Sequence, residues 1–270
     1  LRQDLRWCAF SAFQTAIAIA PNYAIAYSNL GVVKQQIGLL PEAIAYYRQA
    51  LAIEPNLAET LSNLGSALAD AGETEEAIAV YDRALSLNPN CAEAWINLGL
   101  ARENQGDLVE AINCYQQGIQ VNPNSAEAYL NLGIALEKQG DKEGEAREFY
   151  EQAIANYERA IAIHPNYLEA LHNLAYASIR QGKIVDAIAY YERSTALQPD
   201  LAATLIGLGS SLQQQGKLDE ALAVCQQAIQ KLPANAEAHC NLGIVFHKQG
   251  KIANAIACYQ QALSLKPDFP

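Results

Sequence analysis

Residues 55–65 read Pro-Asn-Leu-Ala-Glu-Thr-Leu-Ser-Asn-Leu-Gly, and the chain repeats closely similar stretches along its length. The proline that opens each stretch recurs at intervals of 34 residues, apart from one interval of 42. These prolines are Pro21, Pro55, Pro89, Pro123, Pro165, Pro199, Pro233 and Pro267. A fixed period near 34 residues is typical of a stacked array of two-helix units, because each unit buries its apolar face only against its neighbours.

The period divides the chain into one partial unit and seven full units. The partial unit, residues 1–23, resembles a second helix alone; the full units are 24–57, 58–91, 92–125, 126–167, 168–201, 202–235 and 236–269. Unit 126–167 holds eight extra residues. We expect them to lengthen its second helix by about two turns, roughly 11 Å; a length difference without consequence is the alternative. Because the chain starts at Leu1 and ends on what resembles another unit's opening, we expect a fragment of a longer array.

Each unit predicts two helices. In unit 58–91, Asn56 is the expected N-cap of the first helix, with Glu59 reaching back to it, and Gly72 is the expected left-handed residue that ends it. The second helix carries Ala77 and Tyr81 four residues apart, which places a small residue and a ring on one packing stripe. In unit 202–235 Cys225 replaces the ring, so we expect less complete packing there.

The composition excludes several function classes. Half of the residues, 51%, are apolar, which is too many for a disordered chain. The net charge of −11 disfavours nucleic-acid binding, which needs a basic face. No apolar run reaches the ~20 residues of a membrane span, so we predict no membrane insertion. The six cysteines show neither CxxC nor Cys/His metal spacing, which favours reduced structural thiols and a cytoplasmic location.

No motif points to catalysis. The sequence lacks a Gly-rich phosphate loop, HExxH and GxSxG, so we predict that the chain is not an enzyme and needs neither cofactor nor metal. The four histidines fall at different places in their units, and solvated side chains are the simplest interpretation. They are His164, His172, His239 and His247, of which His172 and His247 are expected on the inner surface.

The unit pattern resembles a known family. An aromatic residue such as Trp95 or Tyr129, followed by Asn-Leu-Gly and then by spaced Gly, Ala, Tyr, Ala and Pro, is similar to the tetratricopeptide repeat across essentially the whole chain. The resemblance implies an all-α, right-handed superhelix (an α-solenoid) of antiparallel helix pairs. It also implies that the first helices line a concave face, where protein partners bind.

Asparagine recurs at the sixth position of six units and is the main candidate for that face. The residues are Asn29, Asn63, Asn97, Asn131, Asn173 and Asn241, with Gly207 interrupting the series. An amide both donates and accepts hydrogen bonds, so a ladder of amides can hold the backbone of an extended peptide. Alternatively, each Asn bonds its neighbouring helix. Further inner-face candidates are Lys138, Tyr176, Arg180 and Lys248, with Glu103 and Glu137 adding negative charge.

These features predict a protein–protein interaction scaffold that binds extended, basic or neutral peptide segments. The Asn series also resembles the repeat region of O-linked N-acetylglucosamine transferases, so a substrate-recognition region of a larger glycosyltransferase, without its catalytic domain, is an alternative. A self-associating scaffold, joined through exposed end helices, is a further one.

Overall fold

A computed structural model gives the architecture. It describes the backbone of residues 2–143, 146–198 and 202–268, without the side chains of 2–9, 143, 146, 184, 202 and 203. The described residues form only α-helices. These are α1 (Arg2–Ile19), α2 (Ala24–Gln36), α3 (Leu40–Ile53), α4 (Ala58–Asp70), α5 (Thr74–Leu87), α6 (Ala92–Asn104), α7 (Leu108–Val121), α8 (Ala126–Glu143), α9 (Ala146–Ile163), α10 (Leu168–Arg180), α11 (Ile184–Leu197), α12 (Ala202–Gln214), α13 (Leu218–Lys231), α14 (Ala236–Lys248) and α15 (Ile252–Leu265). The predicted all-α array of helix pairs is confirmed.

The helices are divided between two compact halves, residues 1–135 and 136–270. Within each half, a second helix such as α5 or α13 packs against the first helix of its own unit and against the first helix of the next unit. First helices also contact one another, as α2, α4 and α6 do in the N-terminal half and α10, α12 and α14 in the C-terminal half. No helix in the described part of the chain combines the length and apolar character that a membrane span needs.

In four of the joints, the core is a tyrosine ring packed on a glycine. Tyr81 is 1% exposed, and a Cβ on Gly65 would lie 2.6 Å from its Cε1 atom. Three other pairs repeat this geometry, with the same clash at 2.5–2.6 Å: Gly31 with Tyr47, Gly99 with Tyr115, and Gly243 with Tyr259. Ala77 is fully buried on the same stripe as Tyr81, so the predicted small-and-aromatic stripe is confirmed in this unit.

Unit 168–201 solves the same packing problem differently. Ala175 stands where the other units carry the glycine, and it is fully buried. The Tyr191 ring lies instead against Gly207 of the next unit, where a Cβ would meet Cζ at 2.4 Å and the hydroxyl at 2.5 Å. This contact gives a physical reason for the gap in the asparagine series, because any side chain at position 207 would overlap the ring.

In the sixth unit, the cysteine that replaces the tyrosine ring is also buried. Cys225 is 1% exposed, and its Sγ lies where it would meet a Cβ on Gly209 at 2.7 Å. This joint is therefore closed to solvent, and the expectation of less complete packing there stays a prediction. Burial raises the pKa of the Cys225 thiol to about 11, and the five cysteines with described side chains are all free.

The predicted glycine helix ends are confirmed in six units, at Gly38, Gly72, Gly106, Gly182, Gly216 and Gly250, which have φ between 75° and 83°. Gly140, their counterpart in unit 126–167, lies inside α8. The predicted Asn caps are wrong. α4 begins at Ala58, and its N-cap is Leu57, without a side-chain hydrogen bond. In the turn before α6, it is the asparagine preceding the proline whose side chain makes a hydrogen bond: Asn88 Oδ1 accepts from the Asn90 N–H at 3.2 Å.

The eight extra residues lengthen both helices of their unit. α8 and α9 each have 18 residues, whereas their counterparts α6 and α7 have 13 and 14. The prediction of a longer second helix is thus correct in kind but wrong in assigning the whole addition to that helix. Residues 144 and 145 lie outside the described part of the chain.

Candidate functional site

Two of the predicted asparagines share a cavity in the N-terminal half. Asn63 of α4 and Asn97 of α6 line a space of about 280 Å³. Its other lining residues are predominantly polar and come from three first helices and one second helix: Val32, Gln35 and Gln36 of α2, Tyr47 of α3, Ser62 and Ser66 of α4, and Glu93 of α6. Sequence reasoning missed these neighbours, although helical spacing could have found two of them. Ser66 lies three residues after Asn63 and Gln36 lies seven residues after Asn29, so each lies on the Asn face of its helix.

The amides of Asn63 and Asn97 are available, since neither makes a side-chain hydrogen bond within the described residues. Gln35 beside them is fully engaged. Its Oε1 accepts from the Tyr47 hydroxyl at 3.0 Å, and its Nε2 donates to Ser66 Oγ at 3.1 Å and to Asp70 Oδ2 at 3.2 Å. The cavity therefore has one amide group, that of Gln35, held in place. The amides of Gln36, Asn63 and Asn97 make no side-chain hydrogen bond within the described residues and can donate to and accept from a ligand.

Asn241 behaves differently from these two. Its Nδ2 donates to the backbone oxygen of Ile206 at 3.4 Å. At the end of the same helix, α14, Lys248 Nζ donates to the backbone oxygen of Gln213 at 3.3 Å. Both predicted binding residues therefore connect α14 to α12. For Asn241 this is the alternative given by the sequence, in which the Asn bonds its neighbouring helix. Asn29, Asn131 and Asn173 lie half-buried at the equivalent position of α2, α8 and α10.

The two glutamates proposed to add negative charge instead hold tyrosine hydroxyls. Tyr115 donates to Glu103 Oε2 at 2.7 Å, and Tyr157 donates to Glu137 Oε2 at 2.8 Å. Oε1 of Glu137 is buried and has no partner among the described residues. Burial raises the pKa of Glu137 to about 7, although the hydrogen bond from Tyr157 opposes that rise.

The remaining candidates lie in the C-terminal half. Arg180 donates to Asp141 Oδ1 at 3.1 Å, and its guanidinium lies 5.2 Å from the centre of the Tyr150 ring. Tyr176 is 46% exposed, and the Lys138 side chain is exposed. His172 lies edge-on to Tyr191, and burial lowers its pKa; the other three histidines do not join it. Among the described residues no three His, Cys, Asp or Glu side chains converge on a metal site.

Family profiles match most of the chain. A profile described as a TPR repeat matches residues 65–106, 104–140 and 209–250. Profiles described as the tetratricopeptide repeat match residues 24–57 and 236–269, and residues 124–200. No curated protein sequence is significantly similar to the chain.

Solved structures with the same fold include a crystal structure of MamA. It is 29% identical with a TM-score of 0.56, and the match covers 63% of this chain and 95% of that one. YrrB, described as a TPR protein with an unusual peptide-binding site, is 21% identical with a TM-score of 0.59, over 70% of this chain and 93% of that one. A tetratricopeptide repeat protein from Parabacteroides merdae is 18% identical with a TM-score of 0.64, over 90% and 93%. The last two show similarity of fold alone.

Proposed function

Because this chain belongs to the tetratricopeptide repeat family, we propose that it is a protein-interaction scaffold whose first helices hold an extended segment of a partner polypeptide. The pair Asn63 and Asn97 carries the proposal. Both amides line one cavity, and within the described residues neither is committed to another protein group. YrrB, which shares the fold, is described as having a peptide-binding site, so the fold is compatible with this role.

An extended peptide offers the groups that these amides need. Each residue of such a segment presents a backbone N–H and a C=O, and one carboxamide can bond both. Recognition would therefore depend on an extended backbone more than on particular side chains. Glu93 in the cavity and the net charge of −11 favour a basic or neutral segment.

The experiment is a selection followed by a matched comparison. Peptides are selected from a displayed library of random 12-residue sequences, and the dissociation constants of the selected peptides are measured for three proteins. These are the wild type, Asn63→Ala/Asn97→Ala, and the control Asn113→Ala/Asn254→Ala, which makes the same change at exposed positions on second helices.

We expect the cavity variant to bind about 5- to 150-fold more weakly, since two amides that each contribute about 0.5–1.5 kcal/mol amount to roughly 1–3 kcal/mol. The control should match the wild type. N-methylation of the contacting backbone amides of the peptide should weaken binding similarly. Equal affinity for the wild type and the cavity variant would show that the amides do not hold the peptide.

Self-association is a second candidate, favoured by the outer face of α15. Ile256 and Leu263 are 50% and 49% exposed, whereas their counterparts Ile78 and Leu85 on α5 are each 6% exposed under the next unit. Sedimentation over a wide concentration range tests this candidate, and a constant monomeric mass excludes it. The role as a glycosyltransferase recognition region and the cytoplasmic location stay predictions from the sequence.

A further inference from the structure

A second cavity lies in the C-terminal half, between the lengthened helix α9 and the turn from α10 to α11. Its volume is about 480 Å³. Arg147, Tyr150 and Glu151 line it from α9, and Arg180, Gln181 and Lys183 line it from the turn. It lies apart from Asn63 and Asn97, which belong to the N-terminal half.

The eight extra residues build the fixed side of this cavity. Asp141, in the lengthened part of α8, accepts at the same oxygen from the Tyr150 hydroxyl at 3.0 Å and from Arg180 at 3.1 Å. Tyr150 is 2% exposed, and the Arg180 guanidinium lies over its ring. In unit 92–125 the residue after the corresponding glycine is Asp107, which caps α7. Asp141 lies inside α8 instead, so its network with Tyr150 and Arg180 belongs to this unit.

The lining is electropositive in an otherwise acidic chain. Arg147, Arg180 and Lys183 outnumber Glu151, and with Asp141 counted one positive charge remains. Among the side chains that the structure describes, Arg147 pairs only with Glu151 on its own helix, through a contact of 3.2 Å between exposed groups, which holds it weakly. The side-chain nitrogen of Gln181 is buried and has no partner among the described residues.

We propose that this cavity binds an oxyanion carried by a polypeptide partner, either the carboxylate of an acidic side chain or a phosphorylated residue. Arg147 and Lys183 supply exposed positive charge, and Arg180 supplies a guanidinium held in place by Asp141. Charge-assisted hydrogen bonds of this kind are stronger than neutral ones. They give the scaffold a second binding site, which recognises a negative charge rather than the peptide backbone. The proposal does not depend on the asparagine cavity, which lies in the other half and attracts segments of the opposite character.

The test uses three peptides of the sequence Gly-Ser-Gly-X-X-X-Gly-Ser-Gly, in which X is glutamate, phosphoserine or glutamine. Binding is followed by NMR titration of the full chain, with the side-chain amide of Gln181 as the local signal. The glutamate peptide, the phosphoserine peptide or both should shift that signal and bind more weakly at high salt. The glutamine peptide should not bind. The stronger of the two anionic peptides identifies the preferred oxyanion.

The variant Arg147→Gln/Lys183→Gln should bind the anionic peptide at least fivefold more weakly. Its control is Arg159→Gln/Lys217→Gln, in which Lys217 occupies the position of Lys183 in the next unit and Arg159 is exposed on the same helix as Arg147. The control removes the same charge and should change affinity less than twofold. Absence of binding by both anionic peptides, equal binding of the glutamine peptide, or equal loss in the two variants would each overturn the proposal.

Discussion

The contact between Tyr191 and Gly207 predicts a strong coupling between positions 175 and 207. The Gly207→Ala substitution puts a methyl carbon 2.4 Å from Tyr191 Cζ, and Tyr191 is 2% exposed, so the ring has no free space in which to withdraw. Overpacking of this kind costs about 1–3 kcal/mol. The gain in helix propensity from glycine to alanine offsets about 1 kcal/mol, which leaves a net loss of about 0–2 kcal/mol.

The Ala175→Gly substitution should relieve the overlap. It restores the glycine on which the rings of Tyr47, Tyr81 and Tyr115 pack in their units, so Tyr191 can move back onto its own unit. Alone, Ala175→Gly should cost about 1–2 kcal/mol, from helix propensity and the loss of a buried methyl group. In a protein that already carries Ala175→Gly, the methyl group of Gly207→Ala should no longer overlap the ring. The free energy of unfolding of the double variant should therefore exceed the value expected from adding the two single changes by about 1–3 kcal/mol.

The assay is a double-mutant cycle of urea unfolding followed by circular dichroism. A control cycle combines Ala175→Gly with Gly72→Ala, which lies in the other half and has open space around its Cα, and it should be additive. If the Ala175→Gly/Gly207→Ala cycle is also additive to within about 0.5 kcal/mol, the ring does not decide which residue fits at position 207, and the explanation for the gap in the series is wrong.

Three further predictions concern stability. The Asn241→Ala substitution removes a bond to the Ile206 oxygen and should lower the free energy of unfolding by about 0.5–1.5 kcal/mol; an unchanged urea midpoint would contradict the bond. The pKa of Glu137 is raised from its ordinary 4.5 to about 7, so its contribution to stability is complete below pH 4.5 and is lost as the pH rises through 7. Glu137→Gln should therefore gain stability relative to the wild type between pH 5 and pH 8, by at most about 3 kcal/mol, and parallel pH profiles of unfolding would count against a buried carboxylate. The Ala77→Leu substitution should cost about 1–3 kcal/mol because Ala77 is fully buried, and calorimetry should show a lower melting temperature.

The repeat period alone predicted much of the architecture, because the same local pattern occurs in each unit. A proline, a glycine and a small-and-aromatic pair at fixed spacing set where helices end and which stripe is buried. Gly72 shows how local this information is: its φ of +82° follows from ending a helix, and a Cβ built on it would meet no atom within 4 Å. Backbone conformation of this kind is encoded within a few residues, so it can be read without tertiary contacts.

The eight extra residues show where such reading fails. The sequence predicted that they lengthen the second helix alone, but Gly140 continues α8 instead of ending it. Asp141 is then placed to accept from both Tyr150 and Arg180, and these partners come from two other helices. Contacts between helices thus override the local signal that ends a helix at the equivalent glycine in the other units.

The repeat pattern of the residues is enough to predict an array of helix pairs with an asparagine at one position of its first helices. What each asparagine does depends on the packing between helices. Asn63 and Asn97 face a cavity with amides that have no partner among the described residues, Asn241 bonds the neighbouring helix, and position 207 holds no side chain because Tyr191 fills the space. The physical reason is that a hydrogen bond or a steric overlap depends on atoms of the next unit, and their positions are set by packing rather than by the repeat that places the residue.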